Sequence, residues 1–361
     1  MSEAALPPNG ANGHGGNGHR PAALTLVPKA EGKQSTKDFK SDQEVRWCPG
    51  CGDYAILAAF QAFLPELQVP RENVVVVSGI GCSSRLPYYM DTYGMHSIHG
   101  RAPAIATGLA SSRPDLSVWV ITGDGDSLSI GGNHLIHALR RNVNIKILLF
   151  NNQIYGLTKG QYSPTSEQGK VTKSTPFGSL DMPFNPVSLA LGAEASFVAR
   201  SIDSDRKHLT DVLRSAADHR GAAFIEIYQN CPIFNDDAFA PLKDSSSRDD
   251  QLIRLQDGEP IRFGAGGQHG LRAGGYGSLE AVDVEGADPG SLLVHDAGQP
   301  DPSYAFALSR LKAATPIGVM RKVDRPSYDE LMSDQLAEAR NKQGEGDLAA
   351  LLSGGDTWTI R

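Results

Sequence analysis

Two pairs of polar residues stand at the ends of successive apolar runs. Gly123-Asp124-Gly125-Asp126 closes one run and Asn151-Asn152 closes the next, which puts Asp124 and Asn152 28 positions apart. A carboxylate and an amide at one sheet edge offer the hard oxygens that Mg²⁺ takes into a near-octahedral shell shared with phosphates. Glycines on both sides of Asp124 let the backbone approach those phosphates closely. Two ordinary strand-end turns are the alternative, since both pairs favour turns. The second set is Cys48, Cys51, Cys82 and Cys231, the only cysteines in the chain. Four thiolates suit Zn²⁺ or an iron–sulfur cluster. A zinc ribbon shows two tight C-x-x-C pairs, so one pair with two distant singles favours a cluster built into a larger fold. Two buried free cysteines beside a structural pair are the alternative.

These groups need a scaffold that gathers them. NVVVVSG (73–79), SVWVITG (117–123), IKILLF (145–150) and FIEIY (224–228) are short β-branched runs. Helical patterns over 54–64, 102–112, 133–141 and 205–219 lie between them. Continuous apolar strands alternating with amphipathic helices predict an α/β fold, a mainly parallel sheet covered on both faces. Ligands of such sheets bind at the carboxyl ends of the strands, where GDG and NN fall.

Residues 1–40 are rich in Gly, Asn and Pro and read as a disordered extension. His14 and His19 lie there with nothing to hold them as metal ligands. Residues 41–240 form the binding domain, and 241–361 read as an α+β extension packing on the core or on a partner. Within it, Asp257-Gly258 predicts a hairpin, 292–295 a strand and 304–311 a helix. Ser327 and Glu330 form a capping box for a helix with Leu331, Met332 and Leu336 on one face. The formal charge of −7 gives no reason to seek nucleic acid. No apolar stretch is long enough to span a membrane, and no secretory signal is visible, so a cytoplasmic location is expected.

GDG followed by NN resembles the signature of thiamine-diphosphate enzymes. WCPGCG, SGIGCSSR, HGRAPAIATG, GDGDSLSIGGNHLIHALRRN, NNQIYGLTKGQ and NCPIFN occur in this order over residues 46–239. Together they resemble the beta subunits of the 2-oxoacid:ferredoxin oxidoreductases, and look most like the actinobacterial 2-oxoglutarate forms. The resemblance implies a thiamine-diphosphate-binding fold with Mg²⁺ on Asp124, Asn152 and the backbone carbonyl of Ile154. It implies one [4Fe–4S] cluster on Cys48, Cys51, Cys82 and Cys231, near the thiazolium ring. Gly123, Gly125 and Asp126 accompany the metal ligands at the cofactor, as do Gly156, Leu157 and Thr158. Thr158 touches the diphosphate in this reading and is a simple loop hydroxyl in the other. Gly81, Cys82 and Ser83 form one flank of the cofactor, and His99, Gly100 and Arg101 another. His99 is either an active-site contact or a helix-capping or core histidine.

A 2-oxoacid needs an electron sink to lose CO₂, which thiamine diphosphate supplies; a cluster beside it accepts electrons singly and coenzyme A takes the acyl group. The family's pyrimidine-activating glutamate sits on an alpha subunit. An αβ or α2β2 assembly is therefore implied, inactive without alpha, with ferredoxin as electron partner. Arg85 and Lys159 stand beside the cofactor motifs and are expected to face the reacting carbon, where they bind the distal carboxylate of 2-oxoglutarate. Pairing with the diphosphate or a neighbouring acid is the alternative for each. Pyruvate or a branched 2-oxoacid is the alternative substrate, and a non-redox thiamine enzyme with a Cys₄ zinc site the alternative class.

Overall fold

The computed structural model describes residues 21–354 and 357–360. Eleven strands are formed in them: β1 (Val74–Ser78), β2 (Tyr93–His96), β3 (Ser117–Gly123), β4 (Lys146–Asn151), β5 (Phe197–Ile202), β6 (Ala223–Tyr228), β7 (Leu252–Arg254), β8 (Arg262–Phe263), β9 (His269–Ala273), β10 (Leu279–Asp283) and β11 (Thr315–Lys322). Eight make one sheet in the order β2-β1-β3-β4-β6-β5-β11-β7. The first six are mutually parallel; β11 runs antiparallel to β5, and β7 follows β11. The helices are α1 (Asp53–Phe63), α2 (Ala102–Ser112), α3 (Asp124–Leu128), α4 (Gly132–Arg141), α5 (Pro186–Gly192), α6 (Arg206–Asp218), α7 (Arg248–Gln251), α8 (Ser303–Ser309), α9 (Tyr328–Gln343) and α10 (Leu348–Leu352).

The apolar runs explain the double cover. In β1, Val74 and Val76 enter one core with Phe60, Phe63 and Trp119, while Val75 and Val77 enter the opposite core with Leu135 and Leu139 of α4. Alternate side chains point to opposite faces, so a strand apolar at every position must be buried on both. Trp119 stands edge-on to Phe60 and Phe63 at 5.1 and 5.8 Å, locking α1 to β3. Side chains buried to this degree contribute roughly 1.5–3 kcal/mol each. Asn185 caps α5 and Asp205 caps α6 by accepting backbone N–H bonds from Ser188 and His208.

Several expectations need correction. Residues 21–40 are not a disordered extension: Leu24, Val27 and Phe39 are buried in the first core. His14 and His19 lie outside the described residues. In the 241–361 segment, expected to pack on the core or on a partner, β7 and β11 enter the main sheet as its last two strands. The Asp257-Gly258 turn does not make a hairpin, since its flanking strands part. β7 pairs with β11, and β8 joins a small antiparallel sheet of order β10-β9-β8. The 292–295 segment is not a regular strand, but it makes the antiparallel bridge Pro260–Val294 and backbone bonds to Gly258, Glu259, Ile261 and Leu271. The capping box at Ser327 and Glu330 is formed, but no residue of α9 is buried, and Leu331 and Leu336 lie open to solvent.

Behind the strand ends lies a buried ion pair. Arg200 of β5 donates to Glu226 of β6 at 2.7 Å, and both side chains are almost wholly buried. The other oxygen of Glu226 accepts the amide of Asn151 at 2.8 Å. Arg200→Met leaves Glu226 buried without its partner and should lower stability in urea unfolding by roughly 3–5 kcal/mol. The double variant Arg200→Met/Glu226→Leu should recover part of that loss.

Candidate functional site

Four neighbouring strand ends build one cleft. β1 runs into Ile80-Gly81-Cys82, β3 into Gly123-Asp124, β4 into Asn152, and β6 into Gln229. The cleft has an empty volume of about 480 Å³ and is lined by Gly81, Cys82, Ser83, His99, Gly123, Asp124, Gly125, Asp126, Asn152, Ile154, Gly156, Leu157 and Thr158. Sequence reasoning named all of these. It missed Asp53, Ile80, Phe150, Tyr155 and Gln229, which share the wall. Tyr155 had a readable signal, an aromatic inside the metal loop. Its hydroxyl donates to the carbonyl of Gly125 at 2.8 Å, and a Cβ on Gly125 would meet its ring at 2.3 Å.

Asp124 opens α3 and is buried; its Oδ2 accepts the hydroxyls of Ser163 at 2.5 Å and Thr165 at 2.6 Å. Burial raises its carboxyl to about 6, and the two hydroxyls pull the other way. Asn152 Oδ1 accepts the N–H of Ile154 at 3.2 Å, which folds the loop so that Asn152 and Ile154 both face the cleft. A carboxylate, a side-chain amide and a backbone carbonyl make an all-oxygen donor set that fits Mg²⁺.

Asp126 has a different task. Its Oδ1 accepts from His99 Nδ1 at 2.7 Å, Gly100 N–H at 2.9 Å and Ile80 N–H at 3.2 Å, and its Oδ2 from Thr122 at 2.9 Å. These bonds hold the walls of the cleft together. Gly79 must lack a side chain, because its Cβ would fall 1.8 Å from Asp126 Oδ2. The bond from Nδ1 to the Asp126 carboxylate fixes the orientation of the His99 ring and leaves Nε2 free of that contact.

Gly100, Arg101, Arg85 and Lys159 do not line the cleft. Gly100 lies behind its wall, and the Arg101 guanidinium turns back to the carbonyl of His99 at 2.8 Å. Arg85 and Lys159, expected beside the reacting carbon, stand outside the lining of the cleft. Arg85 donates to the carbonyl of Arg46 at 3.0 Å, and Lys159 is exposed on the rim. Lys159 has φ +81°, a left-handed backbone that non-glycine residues take up at a cost.

The cysteines meet at one wall. A Cβ on Gly156 would touch Cys82 Sγ at 3.5 Å and Cys231 Sγ at 3.6 Å. Burial pushes the Cys82 thiol up to about 12, with Asp53 and the thiols of Cys231 and Cys48 adding to the rise. Burial raises Cys51 further, with Asp53, Cys82 and Cys231 contributing. Asp53 is itself raised to about 7 by burial. Thiols held up in this way are ionised by a cationic centre. Among the described residues, no three His, Cys, Asp or Glu side chains close around a single ion. Four thiolates suit a [4Fe–4S] centre or Zn²⁺.

Comparison with known proteins agrees with this geometry. Residues 70–227 match the family described as thiamine pyrophosphate enzyme, C-terminal TPP binding domain, so the cleft lies in a thiamine-diphosphate-binding domain. The chain is 62% identical over 340 residues, 92% of its length and 91% of the relative's, to the 2-oxoglutarate oxidoreductase subunit KorB of Mycobacterium tuberculosis. It is 49% identical over 192 residues to the 2-oxoacid:ferredoxin oxidoreductase subunit beta of a Sulfolobus species, covering 53% of this chain and 63% of that one. A solved 2-oxoglutarate:ferredoxin oxidoreductase from Magnetococcus marinus, with 2-oxoglutarate, coenzyme A and succinyl-CoA bound, superposes with TM-score 0.72 and 32% identity. The superposition covers 92% of this chain and 100% of that one. The chain belongs to the beta-subunit family of the 2-oxoacid:ferredoxin oxidoreductases.

Gly100 tests the wall that carries His99. Its φ is +68°, and a Cβ there would lie 2.4 Å from the Gly131 backbone. Gly100→Ala should cost at least about 1–3 kcal/mol in thermal unfolding. It should also reduce the thiamine diphosphate retained on purification.

Proposed function

We propose that this chain is the catalytic beta subunit of an enzyme that oxidatively decarboxylates 2-oxoglutarate to succinyl-CoA and CO₂, with electrons leaving through a [4Fe–4S] cluster to ferredoxin. One observation carries the redox reading. Gly156 sits two residues past Ile154 in the metal loop, and its Cα carries no side chain where two cysteine sulfurs approach. The cofactor cleft and the four-thiol wall therefore share a loop, which suits short-range electron transfer.

Asp124, Asn152 and the Ile154 carbonyl would hold Mg²⁺, and Gly123 and Gly125 would leave the backbone open to the diphosphate. Leu157 and Thr158 close the far side. When bound, thiamine diphosphate supplies the electron sink that a 2-oxoacid needs to lose CO₂. His99 Nε2 faces the cleft from a ring oriented by Asp126, placed to accept or return a proton at the substrate. Cys48, Cys51, Cys82 and Cys231 would hold the cluster.

The substrate follows from the relatives, two of which are named for 2-oxoglutarate at 62% and 32% identity. Its distal carboxylate needs a matching charge once shielded from water. Lys159 stands on the rim one residue beyond Thr158, and its flexible stem suits reaching inward over a bound substrate. Arg85, close enough to influence Cys82 electrostatically, is the second cation. An alpha partner completes the site with the carboxylate that activates the pyrimidine, in an αβ or α2β2 assembly. Among the described residues, no helix is long and apolar enough to cross a membrane, consistent with a cytoplasmic enzyme.

Three measurements test this. Serine variants of the four cysteines should each lose iron and sulfide per chain, together with visible absorbance that bleaches on reduction; normal content in any one removes that residue from the set. In the complex with its alpha partner, 2-oxoglutarate should drive coenzyme A-dependent reduction of a viologen dye. Lys159→Ala should lower kcat/KM for 2-oxoglutarate by at least about tenfold, the lower side of the cost of unpairing a buried charge. The loss on 2-oxobutyrate, which lacks the distal carboxylate, should be much smaller. Equal losses on both would assign Lys159 to the cofactor or the fold and favour a monocarboxylic 2-oxoacid.

A further inference from the structure

Between β4 and α5 the chain makes a long loop, residues 152–185, whose later part is largely exposed. Phe177, Leu180 and Met182 are 100%, 87% and 75% exposed, so apolar burial does not hold its far end. The root is different. Ser163, Thr165 and Ser166 are all buried. Small hydroxyl residues gain little from burial itself, so hydrogen bonds account for it.

Their protons can be assigned one at a time. Ser166 Oγ donates to the Gln153 carbonyl at 2.6 Å and accepts the Ser163 N–H at 2.8 Å. Thr165 Oγ1 has one proton and three acceptors in reach, Asp124 Oδ2 at 2.6 Å, Asn151 Oδ1 at 2.9 Å and, farthest, Ser163 Oγ at 3.2 Å, whose own proton goes to Asp124. Asn151 Oδ1 already takes the Gln153 N–H at 3.1 Å, and a carboxylate is the stronger acceptor, so the proton goes to Asp124. Ser163 Oγ donates to the same Oδ2 at 2.5 Å. Two donors on one oxygen set the plane of the carboxylate and make no demand on Oδ1. A second tie reaches the other metal segment: Lys170 donates to Asn235 Oδ1, and Asn235 Nδ2 donates to the Asn152 carbonyl at 2.9 Å.

We propose that Thr165, together with Ser163, is a positioning residue for the divalent cation. Its hydroxyl holds Asp124 in its ligating orientation and makes the order of the 167–184 loop depend on whether the metal site is filled. The proposal rests on the reading of Asp124 as a metal ligand. Hydrogen bonds to a ligating carboxylate fix it before the ion arrives, and their loss typically weakens metal binding by roughly 10–100-fold. The same bonds anchor the loop root, so what stabilises the carboxylate also stabilises the loop.

The test uses the complex with its alpha partner, stripped of cofactor and titrated with Mn²⁺ in the presence of thiamine diphosphate, bound ion being read by electron paramagnetic resonance. Thr165→Val should weaken Mn²⁺ binding by roughly 10–100-fold, and Thr165→Ser should restore most of it. Ser163→Ala should weaken binding on its own. Tryptic cleavage at the exposed Lys173 should be suppressed by Mn²⁺ with thiamine diphosphate in the parent complex, and not in Thr165→Val. Wild-type affinity in both Thr165→Val and Ser163→Ala overturns the proposal. Equal weakening in Thr165→Val and Thr165→Ser overturns it too, because the hydroxyl would then not be the cause. Should Thr165→Val fail to assemble, Ser163→Ala and Thr165→Ser carry the test alone. Asp124→Ala is the separate control: it should lose Mn²⁺ altogether, and normal binding there removes the metal reading itself.

Discussion

The Asp126 carboxylate accepts four hydrogen bonds from three separate segments: the turn after β1, the His99-Gly100 loop, and β3. Each of those segments forms one wall of the cleft. A buried carboxylate is costly unless its lone pairs are met, and here they are met only when the walls stand in their native places. The glycines nearby follow from the same constraint. Gly79 has no room for a side chain beside Asp126, and Gly100 must turn left-handed against Gly131 to bring its N–H to the carboxylate. His99 gains its orientation from this bond, which makes a structural group the source of a chemical one.

A second polar line runs beneath the metal loop. Arg200, Glu226 and Asn151 connect β5, β6 and β4 in one buried chain of charge-assisted bonds. A parallel sheet packed on both faces offers little water to such groups, so each must find its partner within the sheet. The outcome is that the residue preceding Asn152 is fixed by groups two strands away. The cleft is thus rigid where ligands for a cation are needed, while the loop beyond Ser166 stays exposed.

Both cofactor regions draw on the loop from Asn152 to Thr158. Its first half belongs with Asp124, and its Gly156 lies against Cys82 and Cys231. That economy explains why a chain with a short metal motif and scattered cysteines concentrates its chemistry at four strand ends. Different elements bring the thiols together: Cys48 and Cys51 precede α1, Cys82 follows β1 and Cys231 follows β6.

Local patterns settled a good deal. Four apolar runs became β1, β3, β4 and β6 almost residue for residue, because strands buried on both faces must be apolar throughout. GDG and NN reached the same edge because parallel strands share their carboxyl ends. β5 and β11 were not legible. Arg200 and Arg321 interrupt them with charge, and Pro316 and Gly318 break the second; partners distant in sequence make their burial possible. The order of residues 21–40 was hidden for a similar reason, since Leu24, Val27 and Phe39 are too sparse to form a pattern and find their core only in three dimensions. Sequence motifs named Asp124, Asp126, His99, Arg85 and Lys159 alike. Only the tertiary structure separated the carboxylate bonded to two loop hydroxyls from the one stitching the cleft's walls, and the histidine in the cleft from the two cations outside it. Residue type is a local property, whereas the atom a side chain faces is decided by groups brought to it from elsewhere in the chain.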